Sequence, residues 1–139
     1  MDPLTKEQFD ELLLPAKGIC FSLFIPIVRS TALVKQNTVR LKKLLSTAEQ
    51  ELINNGLSVS KAKKFLEPAH DFAFDEFTLQ PECEGLAIFL SQDLFRHYYL
   101  PRSVAEFAFV GTRFHVTPLL PFLVEDGLYY VLALSQKKI

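Results

Sequence analysis

The sequence predicts an α+β domain: a mainly antiparallel sheet with two to three helices packed on it. Three features predict this. The run Gly18-Ile19-Cys20-Phe21-Ser22-Leu23-Phe24-Ile25-Pro26-Ile27-Val28 is nearly all apolar, β-branched and aromatic, the pattern of a strand buried on both faces. Val34, Leu41, Leu44, Leu45, Ala48, Leu52 and Ile53 recur at helical spacing. The second half of the chain reads as sheet, so the order is strand, two or three helices, three strands, short helix, strand.

Taken in order, residues 3–14 carry Leu4, Phe9, Leu12 and Leu13 around Asp10 and Glu11, a short amphipathic helix that starts near Pro3 and is stopped by Pro15. The apolar strand follows. Pro26 removes a ladder donor, so its paired part should end near Phe24 or Ile25. The long helix presents Arg40, Lys42, Lys43, Glu49, Gln50 and Glu51 on its polar side and stops at Asn54-Asn55-Gly56, which tolerates a left-handed turn. Ser58 or Ser60 caps a second helix through Ala62, Phe65 and Leu66. Pro68 either breaks that helix or opens a third, Pro68–Phe74. Gly85–Leu90 is a buried strand and Ser91-Gln92-Asp93 a turn. The next strand, Leu94–Leu100, sets Phe95, His97 and Tyr99 against Arg96, Tyr98 and Leu100. Val104–Val110 alternates again, with Ala105, Phe107 and Phe109 on one side. Thr117-Pro118 has the form of an N-cap with Pro at the first helical position, opening a short helix, Pro118–Leu123. Glu125-Asp126-Gly127 turns the chain into a last apolar strand, Leu128–Leu134.

With 139 residues, 49% of them hydrophobic and 13 of them Phe, the chain has the volume for one core and is not a disordered polymer. Net charge is −1, but its distribution is uneven. No acid occurs between Leu12 and Ala48, where Lys17, Arg29, Lys35, Arg40, Lys42 and Lys43 fall. From Glu67 to Glu84 the reverse holds, with acids and no Lys or Arg. Cys20 and Cys83 lack metal-ligand spacing and read as reduced thiols of a cytoplasmic protein. No apolar run is long enough for a membrane span, and no export signal is expected at the N-terminus.

Catalytic constellations are missing. His70, His97 and His115 stand alone in sequence, with no H-x-x-x-H or C-x-x-C arrangement, so neither a metal nor another cofactor is expected. His97 reads as a packed or hydrogen-bonded strand residue and His115 as a turn or capping residue. Asp71, Asp75 and Glu76 lie close together, but on a solvated helix end rather than in a cleft. No nucleophile elbow, phosphate loop or dinucleotide fingerprint is present. The expectation is a domain that is not an enzyme and has no small-molecule substrate. The candidate interface is the basic stretch with Arg29, Lys35, Arg40, Lys42 and Lys43. Arg40, Lys43 and Gln36 share one helix side, while Lys35 and Lys42, seven apart, lie on another part of the surface. From the residues alone, this face is either an ordinary solvated surface or a contact for RNA phosphates.

Five segments in order carry a resemblance over nearly the whole chain: Ile19–Pro26, Thr38–Leu45, Glu84–Phe89, Arg113–Leu120 and Tyr129–Gln136. They resemble the N-terminal domain of bacterial proteins related to the archaeo-eukaryotic class 1 release factor and Pelota. The resemblance implies a translation-related, bacterial protein that docks on the ribosome or ribosomal RNA in rescue, stalling or dormancy, and full-length relatives with two further domains. It also marks a departure. The release factor reads stop codons with a helical hairpin tipped by Asn-Ile-Lys-Ser, whereas this chain has only a short link after Pro26. The matching positions read Leu33-Val34-Lys35-Gln36, and only the lysine agrees. The alternative is a protein-interaction domain of a stress-related protein without RNA binding. By the same resemblance, residues 1–127 form the domain, and 128–139 are the first strand of a truncated middle domain. That strand should either fold back on the sheet edge or pair with a second copy about a two-fold axis, the homodimer through Leu128–Leu134 being favoured because a two-sided apolar strand is hard to hide at one edge.

Overall fold

Cys20–Pro26 (β1) lies inside a four-stranded sheet, and the other strands are arranged around it. In the computed structural model, which describes residues 5–14, 18–28, 35–75 and 83–122 (backbone alone for Lys35 and 73–75), β1 is followed by Gly85–Ser91 (β2), Phe95–Leu100 (β3) and Phe107–Gly111 (β4). The strand order is β3-β2-β1-β4, and all three pairings are antiparallel. Phe21 faces Leu90 of β2 and Val110 of β4, so β1 has a neighbour on each side, as its unbroken apolar run requires.

Pairing extends one residue beyond the expected end, to Pro26 opposite Gly85. The reason is the alternation of an antiparallel ladder. The Ile27 N–H donates to the Glu84 carbonyl at 2.9 Å, so the Pro26 nitrogen faces the other side, where β4 pairing stops at Phe107. The missing donor therefore interrupts nothing. β4 itself begins at Phe107, three residues later than the sequence pattern suggests.

Strand alternation sends apolar side chains to both faces of the sheet. One face, with Phe21, Leu23, Ile25, Leu86, Ile88 and Leu90, is covered by Leu41, Leu45, Ala48 and Leu52 of Lys35–Asn54 (α2) and by Ala62, Leu66, Ala69 and Phe72 of Val59–Asp75 (α3). The long helix thus lies on the sheet with the apolar stripe read from its spacing. The opposite face, with Phe24, Ala87, Phe89, Tyr98 and Leu100, is covered by Phe9 and Leu12 of Lys6–Leu13 (α1) and by Leu119 and Phe122 of a 3-10 helix, Thr117–Phe122. His97 is packed against Phe72, 4.4 Å between ring centroids, in line with its reading as a packed strand residue.

Helix ends account for most remaining differences. α1 starts at Lys6 rather than near Pro3, because Thr5 and Gln8 form a capping box: the Gln8 N–H donates to Thr5 Oγ1 at 3.1 Å and the Thr5 N–H to Gln8 Oε1 at 3.0 Å. α2 ends in a Schellman turn, with Gly56 at φ +107°, its N–H on the Ile53 carbonyl and the Leu57 N–H on that of Leu52. Ser58 rather than Ser60 caps α3, its Oγ accepting from the Lys61 N–H at 3.2 Å. The helix then runs through Pro68 without breaking. Pro68 is exposed, so the Lys64 carbonyl that loses its helical donor sits on the solvent side. Thr117 is the first residue of the 3-10 helix instead of a cap, and the Leu119 N–H donates to Val116. At Gly85 a Cβ would come within 2.8 Å of the Arg102 carbonyl, so glycine is required by close approach. The strand read at Leu128–Leu134, its two-fold pairing and the boundary at residue 127 lie outside the described residues.

Candidate nucleic-acid interface

α2 carries basic residues that the sequence singles out as a candidate interface, and a contact in its first turn fixes its rotation. Asn37 is buried at 3% exposure, although it is polar. Its Oδ1 accepts from the Val28 N–H at 2.8 Å and its Nδ2 donates to the Val28 carbonyl at 2.9 Å, so the amide imitates a strand partner and clamps the exit of β1 to the first turn of α2. Sequence periodicity gives no sign of this residue. With Asn37, Leu41, Leu45, Ala48 and Leu52 turned inward, the rotation of every other α2 side chain follows.

Lys43 is exposed on the outward side, one turn beyond the exposed Val39, and forms no ion pair with a described residue. Arg40 lies about 60° from it around the helix, so the two share a side, as their spacing predicts. Arg40 is nevertheless committed elsewhere: its Nε is 3.3 Å from Oε1 of Glu106, just before β4. Lys42 is about 160° from Arg40 and half-buried, which puts it on a separate flank and not in one patch with Arg40. Lys35 is the first residue of α2 and its side chain lies outside the described residues, as does all of Arg29. The structure therefore brings together Arg40 and Lys43 and sets Lys42 apart. A second basic group, Lys61, Lys63 and Lys64, is exposed on α3. Its signal was the short run Lys61-Ala62-Lys63-Lys64, which the long acid-free stretch overshadows.

The other polar features serve the fold. Ser22 is fully buried inside β1, where its Oγ accepts the His115 backbone N–H at 2.8 Å and pins the segment before the 3-10 helix to the sheet. The His115 ring lies 4.7 Å from Phe107 and 6.0 Å from Phe109, so this histidine packs among aromatics. Phe107 and Phe109 project from the face opposite Ala108 and Val110 and remain 39% and 40% exposed. Glu11 and Arg96 form a bidentate pair at 2.9 and 3.0 Å that ties α1 to β3, and the carboxylate holds the Arg96 guanidinium above its usual range. Both cysteines are buried and neither forms a disulfide, and burial raises the Cys20 thiol pKa. Among the described residues, no three His, Cys, Asp or Glu side chains come together as a metal site. No described helix is long and apolar enough to cross a membrane.

No family model matches the chain, and no curated protein matches it. Among solved structures it is similar to one described as "Archaeal protein", with a TM-score of 0.57 and 19% identity over 89% of this chain. It is also similar to "Crystal structure of archaeal translation termination factor, aRF1", with a TM-score of 0.49 and 17% identity over 86% of this chain. The chain spans 37% and 36% of the lengths of those two proteins. What the first likeness shows is a shared fold: an α+β domain whose antiparallel sheet carries helices.

Proposed function

We propose that this chain is a non-catalytic RNA-binding domain of a bacterial, cytoplasmic release-factor-like protein. In this reading it contacts ribosomal RNA through the outer side of α2, in translation rescue, stalling or dormancy. The observation that carries the proposal is Lys43, an exposed cation without an acidic partner among the described residues, set in an acid-free stretch of sequence. The five-segment resemblance supplies the ribosome as the class of partner. Phosphate contacts of this kind bring counterion release, so affinity should fall steeply with added salt.

The test is co-sedimentation with ribosomes over a range of salt concentrations. Arg40→Glu would set two carboxylates against each other at the Glu106 pair, so the cleaner variant is Lys43→Glu. It is expected to bind at least tenfold more weakly, with an unchanged circular dichroism spectrum and melting point. Binding that survives in this variant, or that is indifferent to salt, refutes the RNA reading. It would favour a protein-interaction domain instead, which the exposed Phe107 and Phe109 on β4 support.

A further inference from the structure

A cleft of about 590 Å³ opens where the start of β1, the end of β2 and the first half of α3 meet. Its walls include Leu57, Phe65 and Leu90, while Lys61, Lys64 and Gln92 bring the polar groups. Lys64 and Phe65 follow Lys61 by three and four residues, so one side of α3 presents two ammonium groups beside an aromatic ring. Neither lysine forms an ion pair with a described residue. Asp93, the acid next to Gln92 in the β2–β3 turn, is not part of the wall.

We infer that this cleft binds a small amphipathic organic anion, a ring or short chain carrying a phosphate or carboxylate. The volume is in the range of small-molecule sites, roughly 300–1,000 Å³. An apolar body gains by covering the half-buried Leu57 and Phe65, since each Å² removed from water contributes about 25 cal/mol. The anionic end is drawn to Lys61 and Lys64, which have no carboxylate partner among the described residues. A neutral apolar molecule would leave both ammonium groups unanswered, and an inorganic anion would leave the floor uncovered. The cleft is separate from the α2 interface, because no α2 residue lines it.

The experiment is a nuclear magnetic resonance titration of the full 139-residue chain, following backbone amides, with 1-naphthyl phosphate, 1-naphthol and inorganic phosphate as probes. The expected result is saturable shifts at Leu57, Phe65, Leu90 and Gln92 with naphthyl phosphate, at least tenfold tighter than with naphthol. Lys61→Glu with Lys64→Glu, both at exposed positions, should weaken that binding at least tenfold and leave the remaining spectrum in place. Equal affinity for naphthol, the same shifts with phosphate alone, shifts centred on Lys43, or no saturable shift would each overturn the inference.

Discussion

Asn37 offers the sharpest test of how β1 and α2 are joined. Replacing it with Ala deletes two hydrogen bonds, of 2.8 and 2.9 Å, and leaves the Val28 N–H and carbonyl without their partner in a half-buried position. At about 0.5–1.5 kcal/mol net per bond, Asn37→Ala should lower stability by about 1–3 kcal/mol. Asn37→Asp separates the two bonds by charge. One carboxylate oxygen still accepts from the Val28 N–H, but the other stands where Nδ2 donated, facing the Val28 carbonyl. Ionised, it is buried and repelled; protonated, it donates to that carbonyl and restores the clamp. The folded protein therefore raises this carboxyl above the ordinary Asp value of about 3.9. A raised value means that the stabilising contribution is full below about pH 4 and is lost as the pH climbs through the folded-state value. Urea unfolding of wild type and both variants at pH 4 and pH 7 is the assay. The Asp variant should approach wild type at pH 4 and fall at least as far as the Ala variant at pH 7, while the Ala deficit stays constant. An Asp deficit that is the same at both pH values would refute the clamp.

Three further outcomes follow from burial. Leu45→Ala removes a fully buried side chain between α2 and the sheet, and should lower stability by about 2–5 kcal/mol; a loss under about 1 kcal/mol on denaturant titration would mean that the helix does not seal this core. The Tyr98 hydroxyl is buried without a hydrogen-bond partner among the described residues, so Tyr98→Phe should leave stability unchanged or raise it by up to about 1 kcal/mol, and a clear loss would reveal a partner. Burial holds the Cys20 thiol protonated. Its contribution is full below about pH 8.5, the ordinary thiol value, and is lost at higher pH as the unfolded chain ionises first. Wild type should therefore lose stability above that pH more steeply than Cys20→Ala, and equal slopes would contradict the burial.

The parts of the fold that were legible in the sequence are those written in local periodicity. The apolar run around Phe21, the α2 stripe through Leu41, Leu45 and Leu52, and the turn at Ser91-Gln92-Asp93 each depend on neighbours along the chain. What escaped depends on partners distant in sequence. Asn37 matters because Val28 lies across a link, Ser22 because His115 comes back to it, and Arg40 is half-committed because Glu106 arrives after three strands. Pro68 could not be resolved from sequence because the consequence of a lost helical donor depends on whether the orphaned carbonyl meets water. The same division holds for the interface. The spacing of Arg40 and Lys43 placed them on one side, but charge spacing cannot register an ion pair with a distant strand. The cleft beside Lys61 and Lys64 is formed by three elements meeting, and no single stretch of sequence records it.

The Arg40–Glu106 pair bears on how copies of this protein avoid one another in a crowded solution. Among the described residues β4 has a strand partner on one side only, and from Phe107 to Thr112 the chain carries no charge. In the antiparallel ladder, the backbone groups of Ala108 and Val110 point outward, away from β1. Such a segment is a template onto which another extended chain could add. Glu106 and Arg113 stand at its two ends, as gatekeeping charges flank apolar strands that a fold needs. By holding Glu106, Arg40 fixes where that carboxylate stands at the strand's end, as well as joining a helix to a strand.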